Sequence, residues 1–310
     1  MTDKTYKIGI VGVGKIARDQ HIPSISENAQ FDLVATASRN AQVGGIHGYQ
    51  SLEELLAAVP DVDCISLCTP PQARYDDARR ALLAGKHVML EKPPGATLSE
   101  VNDLFALARK QGVTLFATWH SRFADYIPAA KEWLEGKTVR KIEMIWKEDV
   151  RRWHPGQEWI WEAGGLGVFD PGINGLSALT EIYPSPLHIR KADLMFPANR
   201  DTPIAASLVF GDPNGAEVTA EFDWRQDGDQ FWDIHFTTDQ GTASIRDGGA
   251  RFIVDGEVVG EGLDHEYGNL YARFAKLLDD NAIDVDLSPL THVADAFMLG
   301  RRQEVAAFNW

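Results

Sequence analysis

Three groups of residues have the types and spacing to do chemistry. The first is Gly12-Val13-Gly14-Lys15-Ile16-Ala17. In such a run the first glycine allows a tight turn, the second lets backbone approach a pyrophosphate, and the small third residue lets a helix pack on the preceding strand. The second is Glu91-Lys92-Pro93-Pro94, which ends an apolar strand at the carboxyl edge of a parallel sheet, where α/β folds bind ligands. The third is a dense aromatic and polar set: Trp119-His120-Ser121-Arg122, then Trp146 to Pro155, then Trp159, Trp161 and the later Trp232. Indole faces pack on the C–H faces of a sugar ring while carboxylates, imidazoles and amides bond its hydroxyls, so this set suits a neutral polyol. One Trp alone would read as core. The density of Trp around His120, Glu148 and His154 reads as a site.

The elements that must position these groups fall into two regions. Up to about residue 120, short apolar strands (Lys7–Val11, Leu33–Ser38, Cys64–Thr69, His87–Leu90, Thr114–Ala117) alternate with amphipathic segments (Leu52–Ala58, Ala73–Leu83, Leu98–Lys110). This alternation predicts a doubly wound α/β domain around a parallel sheet. From about Thr138 the strands Arg140–Lys147, Ile204–Phe210, Glu217–Trp224, Trp232–Thr238, Thr242–Ile245 and Arg251–Val254 are joined by Gly/Asp/Asn turns. They predict an open, mainly antiparallel sheet in an α+β domain. Helical periodicity returns at Leu166–Tyr183, Tyr267–Leu278 and Val293–Phe308. The expected division is a dinucleotide-binding domain over 1–123 and a substrate domain over 124–310.

Composition narrows the function class. The 310 residues carry 30 Lys plus Arg against 45 Asp plus Glu, a net charge of −15, which disfavours nucleic acid and anionic membranes as partners. Cys64 and Cys68 lie in one apolar run, too far apart along a strand to bridge, and read as buried free thiols in a reducing compartment. No signal-peptide core or long apolar run is present, and a cytoplasmic protein is expected. No Cys/His cluster suggests a metal.

At the end of the second strand Thr36-Ala37-Ser38-Arg39 stands where an NAD enzyme usually places an acid on the ribose 2′-hydroxyl. A guanidinium and a hydroxyl suit a 2′-phosphate, so NADP is the expected cofactor, with NAD also accepted. The expected cofactor contacts are Gly12, Gly14, Lys15, Ile16, Ser38, Arg39, Thr69, Pro70, Glu91 and Lys92.

The dinucleotide run, the strand ending in Glu91-Lys92-Pro93 and the C-terminal open sheet occur in order over nearly the whole chain, and together they resemble the glucose–fructose oxidoreductase/inositol dehydrogenase (Gfo/Idh/MocA) family. The resemblance implies that Lys92 sits between nicotinamide and substrate, and that the Lys92–Pro93 peptide is cis. It also implies a helix carrying an acid and a histidine one turn apart. Here Asp170 matches the acid, while Asn174 stands in the histidine's place. Asn can hydrogen-bond a hydroxyl but cannot take its proton, so Asp170 becomes the candidate base and Asn174 orients substrate. Asp170-Pro171 also has the form of a helix N-cap followed by proline in the first turn.

Within the family, His120, the run Glu148 to Pro155 and the Asp170/Asn174 pair are similar to the branch that oxidises the anomeric hydroxyl of L-arabinose and D-galactose to a lactone. That likeness implies substrate contacts from His120, Glu148 and His154, with Trp153 and Trp232 walling the pocket. The expected partner is a small aldose, and a homodimer fits the family. Alternatives are a dinucleotide-binding sensor without turnover, or an oxidoreductase acting on another polyol or a carbonyl.

Overall fold

The computed structural model describes residues 4–263 and 265–310. The chain divides into two compact units, one formed by Met1–His120 with His265–Asp286, the other by Ser121–Asp264 with Leu287–Trp310.

The first unit is built on a six-stranded sheet, β1 Tyr6–Val11, β2 Phe31–Ala37, β3 His47–Tyr49, β4 Cys64–Leu67, β5 His87–Leu90 and β6 Leu115–Ala117, in the order β3-β2-β1-β4-β5-β6. Every pairing is parallel, so the carboxyl ends of β1, β2, β4 and β5 share one edge. Strands β4 and β5 are apolar almost throughout because helices cover both faces. Helices Leu52–Ala58, Tyr75–Leu83 and Leu98–Gln111 bury Leu52, Leu55, Ala78, Ala81, Leu82, Leu104 and Ala108 in one core with β2, β4 and β5. Ser51 and Thr97 cap the first and third, each accepting from the backbone N–H three residues on. Strand β3, only three residues and partly exposed, has too little apolar pattern to be seen in sequence.

Helix Glu266–Asp280 packs within the first unit, although it lies in the stretch 124–310 expected to form the substrate domain. Its stripe Tyr267, Leu270, Tyr271, Phe274, Leu277 and Leu278 is buried, with Phe274 stacked on Phe31 and Phe116. The following chain continues the sheet through a bridge from Asp284 to Phe116. Segment 265–286 therefore belongs to the first unit, drawn there by an aromatic stripe whose partners lie more than a hundred residues upstream. Of the two cysteines, both free, Cys64 is buried, whereas Cys68 lies beyond the end of β4 and is only partly so.

The second unit carries a nine-stranded sheet: β7 Val139–Lys147, β8 His188–Pro197, β9 Ala205–Gly211, β10 Glu217–Asp223, β11 Phe231–Thr238, β12 Gly241–Arg246, β13 Arg251–Val254, β14 Glu257–Glu261 and β15 Arg301–Val305. The order is β14-β13-β12-β11-β7-β10-β9-β8-β15. Only β7 with β10 and β8 with β15 run parallel. Helix Phe169–Ile182 packs on this sheet at unusually close range. A Cβ at Gly172 would lie 2.7 Å from the Phe222 ring, and one at Gly175 2.6 Å from the Trp146 ring. Glycine at these positions sets the helix height and with it the height of Asp170 and Asn174.

The expected helix Val293–Phe308 is corrected. The helix runs Ser288–Leu299, and the chain then turns extended at Gly300 into β15. Strand β15 is an edge, paired only with β8, so its exposed Arg-Arg-Gln-Glu-Val sequence lacks strand alternation.

Candidate functional site

The carboxyl edge of the first sheet gathers the dinucleotide run and the Glu91-Lys92 pair. Gly12 has φ +91°, and a Cβ there would lie 2.8 Å from the Thr69 nitrogen, so only glycine fits the turn against β4. Gly14 is different: among the described residues, its chain neighbours aside, nothing lies within 4 Å of its missing Cβ. The fold does not demand glycine there, whereas the close approach of an external group would. The hydroxyls of Thr36 and Thr69 have no hydrogen-bond partner, one at the end of β2 and one beside Gly12. These features fit a dinucleotide. Lys15 and Arg39 are exposed, Ile16 and Ser38 half-buried and Pro70 exposed. Lys15 pairs with Asp19. After Gly14 the chain forms one π-turn, Ala17–His21, before helix Ile22–Ser26, which delivers His21 into the interior.

There His21 meets Glu91. Its Nε2 lies 3.2 Å from Glu91 Oε1, which also accepts from the Tyr267 hydroxyl at 2.6 Å, and its Nδ1 lies 2.8 Å from the Tyr271 hydroxyl. Glu91 Oε2 accepts the backbone N–H of Lys92 at 2.7 Å. Burial opposes the Glu91 charge, but the hydrogen bond and charge of His21, the charge of His120 and the Tyr267 hydroxyl outweigh it and hold the carboxyl at about 2. Burial likewise opposes a charged His21, and Cys68, Tyr271 and Glu91 overcome it to raise its pKa well above the usual value. His120 stacks on Tyr267 with ring centroids 5.3 Å apart and pairs through Nδ1 with Glu266. Burial lowers the His120 pKa, but Glu266 more than compensates and the net direction is up.

Lys92 is half-buried and followed by a cis peptide bond to Pro93. The carbonyls on either side of it, of Glu91 and Pro93, both accept from the buried Arg74 guanidinium, which also donates from Nε to the Thr69 carbonyl at 3.1 Å. Arg74, His21, Glu266, Tyr267 and Tyr271 were not visible as site residues in sequence. They are separated from Glu91 by up to 180 residues, and only the parallel sheet and the returning helix bring them together.

In the second unit the site grows from strand register. Asp223 pairs with Lys147 in parallel, so Trp224 emerges beside Glu148, and antiparallel β11 sets Trp232 opposite Trp146. Both indoles donate to the same buried carboxylate, Trp224 Nε1 to Glu148 Oε1 at 3.2 Å and Trp232 Nε1 to Oε2 at 2.9 Å. His154 follows the short helix Val150–Trp153, its ring 5.3 Å from the Trp224 ring and its Nε2 3.5 Å from Glu148 Oε1. Its other nitrogen, Nδ1, is buried without a hydrogen bond and lies 3.8 Å from Asp170 Oδ2. Trp153 packs edge-on against Trp232 with centroids 5.3 Å apart.

Asp170 is buried in the first turn of helix Phe169–Ile182, whose N-cap is Val168. The cap reading of Asp170 is thus replaced: its carboxylate faces His154. Asn174, half-buried, stands one turn further along the same helix. Trp224 was read only as the end of a strand, and its role as a donor to Glu148 appears only with the register. The Arg151 guanidinium, just ahead of His154, lies over the Phe308 ring and donates to the Asn309 carbonyl.

A dinucleotide cradle in one unit and a cluster of carboxylates, imidazole and indoles in the other are the parts of an oxidoreductase. Residues 6–118 match the model of an oxidoreductase family with an NAD-binding Rossmann fold. Galactose 1-dehydrogenase of Pseudomonas fluorescens is 44% identical over 304 residues, covering 97% of this chain and 98% of its own. The crystal structure of a D-galactose-1-dehydrogenase from Rhizobium etli matches with a TM-score of 0.96 at 56% identity, over 100% of this chain and 99% of that one. A 3-ketoreductase from Actinomadura kijaniata, in complex with NADP and TDP-benzene, shares the fold with a TM-score of 0.82 at 19% identity, over 97% of this chain and all of that one. The chain belongs to the Gfo/Idh/MocA family of NAD-binding oxidoreductases. Among the described residues no helix is long and apolar enough to cross a membrane.

Proposed function

We propose that the protein oxidises the anomeric hydroxyl of an aldopyranose, D-galactose and L-arabinose, to the aldono-lactone, with NADP preferred and NAD accepted. The observation that carries this reading is the spacing of His154 and Asp170. At 3.8 Å the two are too far apart to bond each other, yet a hydroxyl group lying against both would give the orphaned imidazole nitrogen the hydrogen bond it lacks while donating to the carboxylate. Both oxygens of Glu148 are oriented by indole N–H groups and retain lone pairs for further hydroxyls. The Trp153 and Trp232 rings offer apolar faces to ring C–H groups. The similarity to galactose 1-dehydrogenases across the full chain supports the substrate class.

Gly12, Gly14, Thr69 and the residues around Lys92 would hold the dinucleotide, with Ser38 and Arg39 at the 2′-phosphate. When bound, the nicotinamide supplies the two-electron acceptor for the hydride that leaves C1. Asp170 takes the proton of the C1 hydroxyl as the carbonyl forms, and His154 holds the sugar hydroxyl beside it. The Lys92 ammonium stabilises negative charge developing on the same oxygen. Glu91 and Arg74 hold the Lys92 backbone. Asn174 donates to a ring hydroxyl, and His120 is assigned a further sugar contact.

L-Arabinose and D-galactose share ring stereochemistry and differ at the C5 substituent, a difference worth about 1–3 kcal/mol in an unblocked pocket. The test is nicotinamide reduction with D-galactose, L-arabinose, D-xylose and D-glucose, each with NADP⁺ and NAD⁺. Turnover of the first two, faster with NADP⁺, is expected. Dinucleotide binding without oxidation of any aldose would overturn the reading.

A further inference from the structure

The segment Phe308–Trp310 is fastened at every residue. Asn199 clamps the Phe308 backbone from both sides, Nδ2 donating to its carbonyl at 2.8 Å and Oδ1 accepting its N–H at 2.9 Å. Arg151 Nη2 donates to the Asn309 carbonyl at 2.7 Å while its guanidinium lies 4.5 Å from the Phe308 ring centroid. The Trp310 indole donates to Glu158.

Two paths lead from this segment to the cluster. Along one, the Phe308 ring packs on buried Trp161 at 4.9 Å, Trp161 packs on Trp224 at 5.1 Å, and Trp224 donates to Glu148. Along the other, Arg151 lies in the four-residue helix Val150–Trp153, directly ahead of His154. A helix this short has no stability of its own and takes its position from tertiary contacts. Val150 at its start is buried and donates its N–H to the Trp224 carbonyl, Trp153 at its end is 38% exposed, and between them the Phe308–Asn309 segment holds Arg151.

We infer that Phe308–Trp310 is a strap that positions His154 and the Trp224–Glu148 pair, and so sets affinity for the sugar without entering the chemistry. The inference rests on the aldose reading above. Phe308 and Asn199 are positioning residues that touch neither substrate nor cofactor.

The test is steady-state kinetics on three variants of the full-length protein, with D-galactose and NADP⁺ varied separately. Phe308→Ala and Asn199→Ala are expected to raise KM for D-galactose roughly tenfold, leaving kcat within about threefold and KM for NADP⁺ within twofold. Phe308→Tyr, which keeps the ring over Trp161 and under Arg151, is expected to restore the parent KM. If Phe308→Ala does not fold, Asn199→Ala carries the test alone, since it removes only the backbone clamp. A D-galactose KM within twofold of the parent in the soluble alanine variants overturns the inference, as does a parallel rise in KM for NADP⁺, which would mark general disruption. A parent protein that oxidises no aldose overturns the aldose reading and the strap with it. An active parent with indifferent variants overturns the strap alone.

Discussion

Replacing Glu91 by Gln tests the buried network behind Lys92. Glu91 Oε1 serves His21 and Tyr267, and Oε2 serves the Lys92 N–H. A Gln amide keeps one acceptor but must turn its NH₂ toward a donor, leaving either the Lys92 N–H or the His21–Tyr267 pair without a partner. Holding the carboxyl at about 2 rather than its ordinary 4.5 corresponds to roughly 3 kcal/mol favouring the charged form in the fold. With an unpaired donor added, the expected loss is about 3–5 kcal/mol, the usual cost of breaking a buried ion pair from one side. For a domain of this size that is a fall in Tm of roughly 6–20 °C.

The sign with pH follows from both partners. The Glu91 contribution is full above its unfolded value of 4.5 and is lost as pH falls toward 2. The His21 contribution is full below its unfolded value of 6.5 and is lost as pH rises through its raised folded value. The gap in Tm between parent and Glu91→Gln should therefore be widest between about pH 4.5 and 6.5, narrowing on either side. Differential scanning calorimetry at pH 3.5, 5.5 and 8 measures it. A gap under about 3 °C at pH 5.5, or one flat across the three, would refute a charged His21–Glu91 pair.

The remaining expectations concern the two halves of the site. Arg39→Ala should raise KM for NADP⁺ about 10- to 100-fold with little change for NAD⁺, the value of a lost charge-assisted bond to phosphate; equal effects on both cofactors would remove Arg39 from the 2′-phosphate. Lys92→Met and Asp170→Asn should each lower kcat by roughly 10²- to 10⁴-fold, read by initial rates with saturating D-galactose; a change within a few-fold would refute their roles. Glu148→Gln places an amide NH₂ against an indole N–H and should raise the sugar KM by about tenfold or more, measured by the same assay. Gly12→Ala forces φ +91° on a residue with a Cβ 2.8 Å from the Thr69 nitrogen; titration calorimetry should show dinucleotide binding lost.

What could be read from sequence and what could not divides along one physical line. Strands β1, β4 and β5 and helix Leu52–Ala58 are legible because parallel-sheet burial writes itself locally as apolar runs between turn residues. Glu148 and His154 stand out as candidates because Trp, His and carboxylate crowd within short stretches, and Asp170 stands out only through the resemblance to the family's helix. Edge strands leave no such trace: β15, paired on one side only, carries charges on exposed positions and reads as the end of a helix. Groups assembled by long-range pairing are equally silent. Nothing near Glu91 announces His21, brought in by a π-turn, or Tyr267, brought back on a helix 176 residues later. Nor does Trp224 look different from the core residues on its own strand until the register of β10 with β7 sets it beside Glu148. Local pattern therefore picks out the candidate residues for chemistry, while the residues that hold them in place are specified by the fold. His21 and Tyr267 against Glu91, and Trp224 against Glu148, are of the second kind. Each sits one hydrogen bond behind a residue that the sequence singled out, and only the fold makes it that residue's partner.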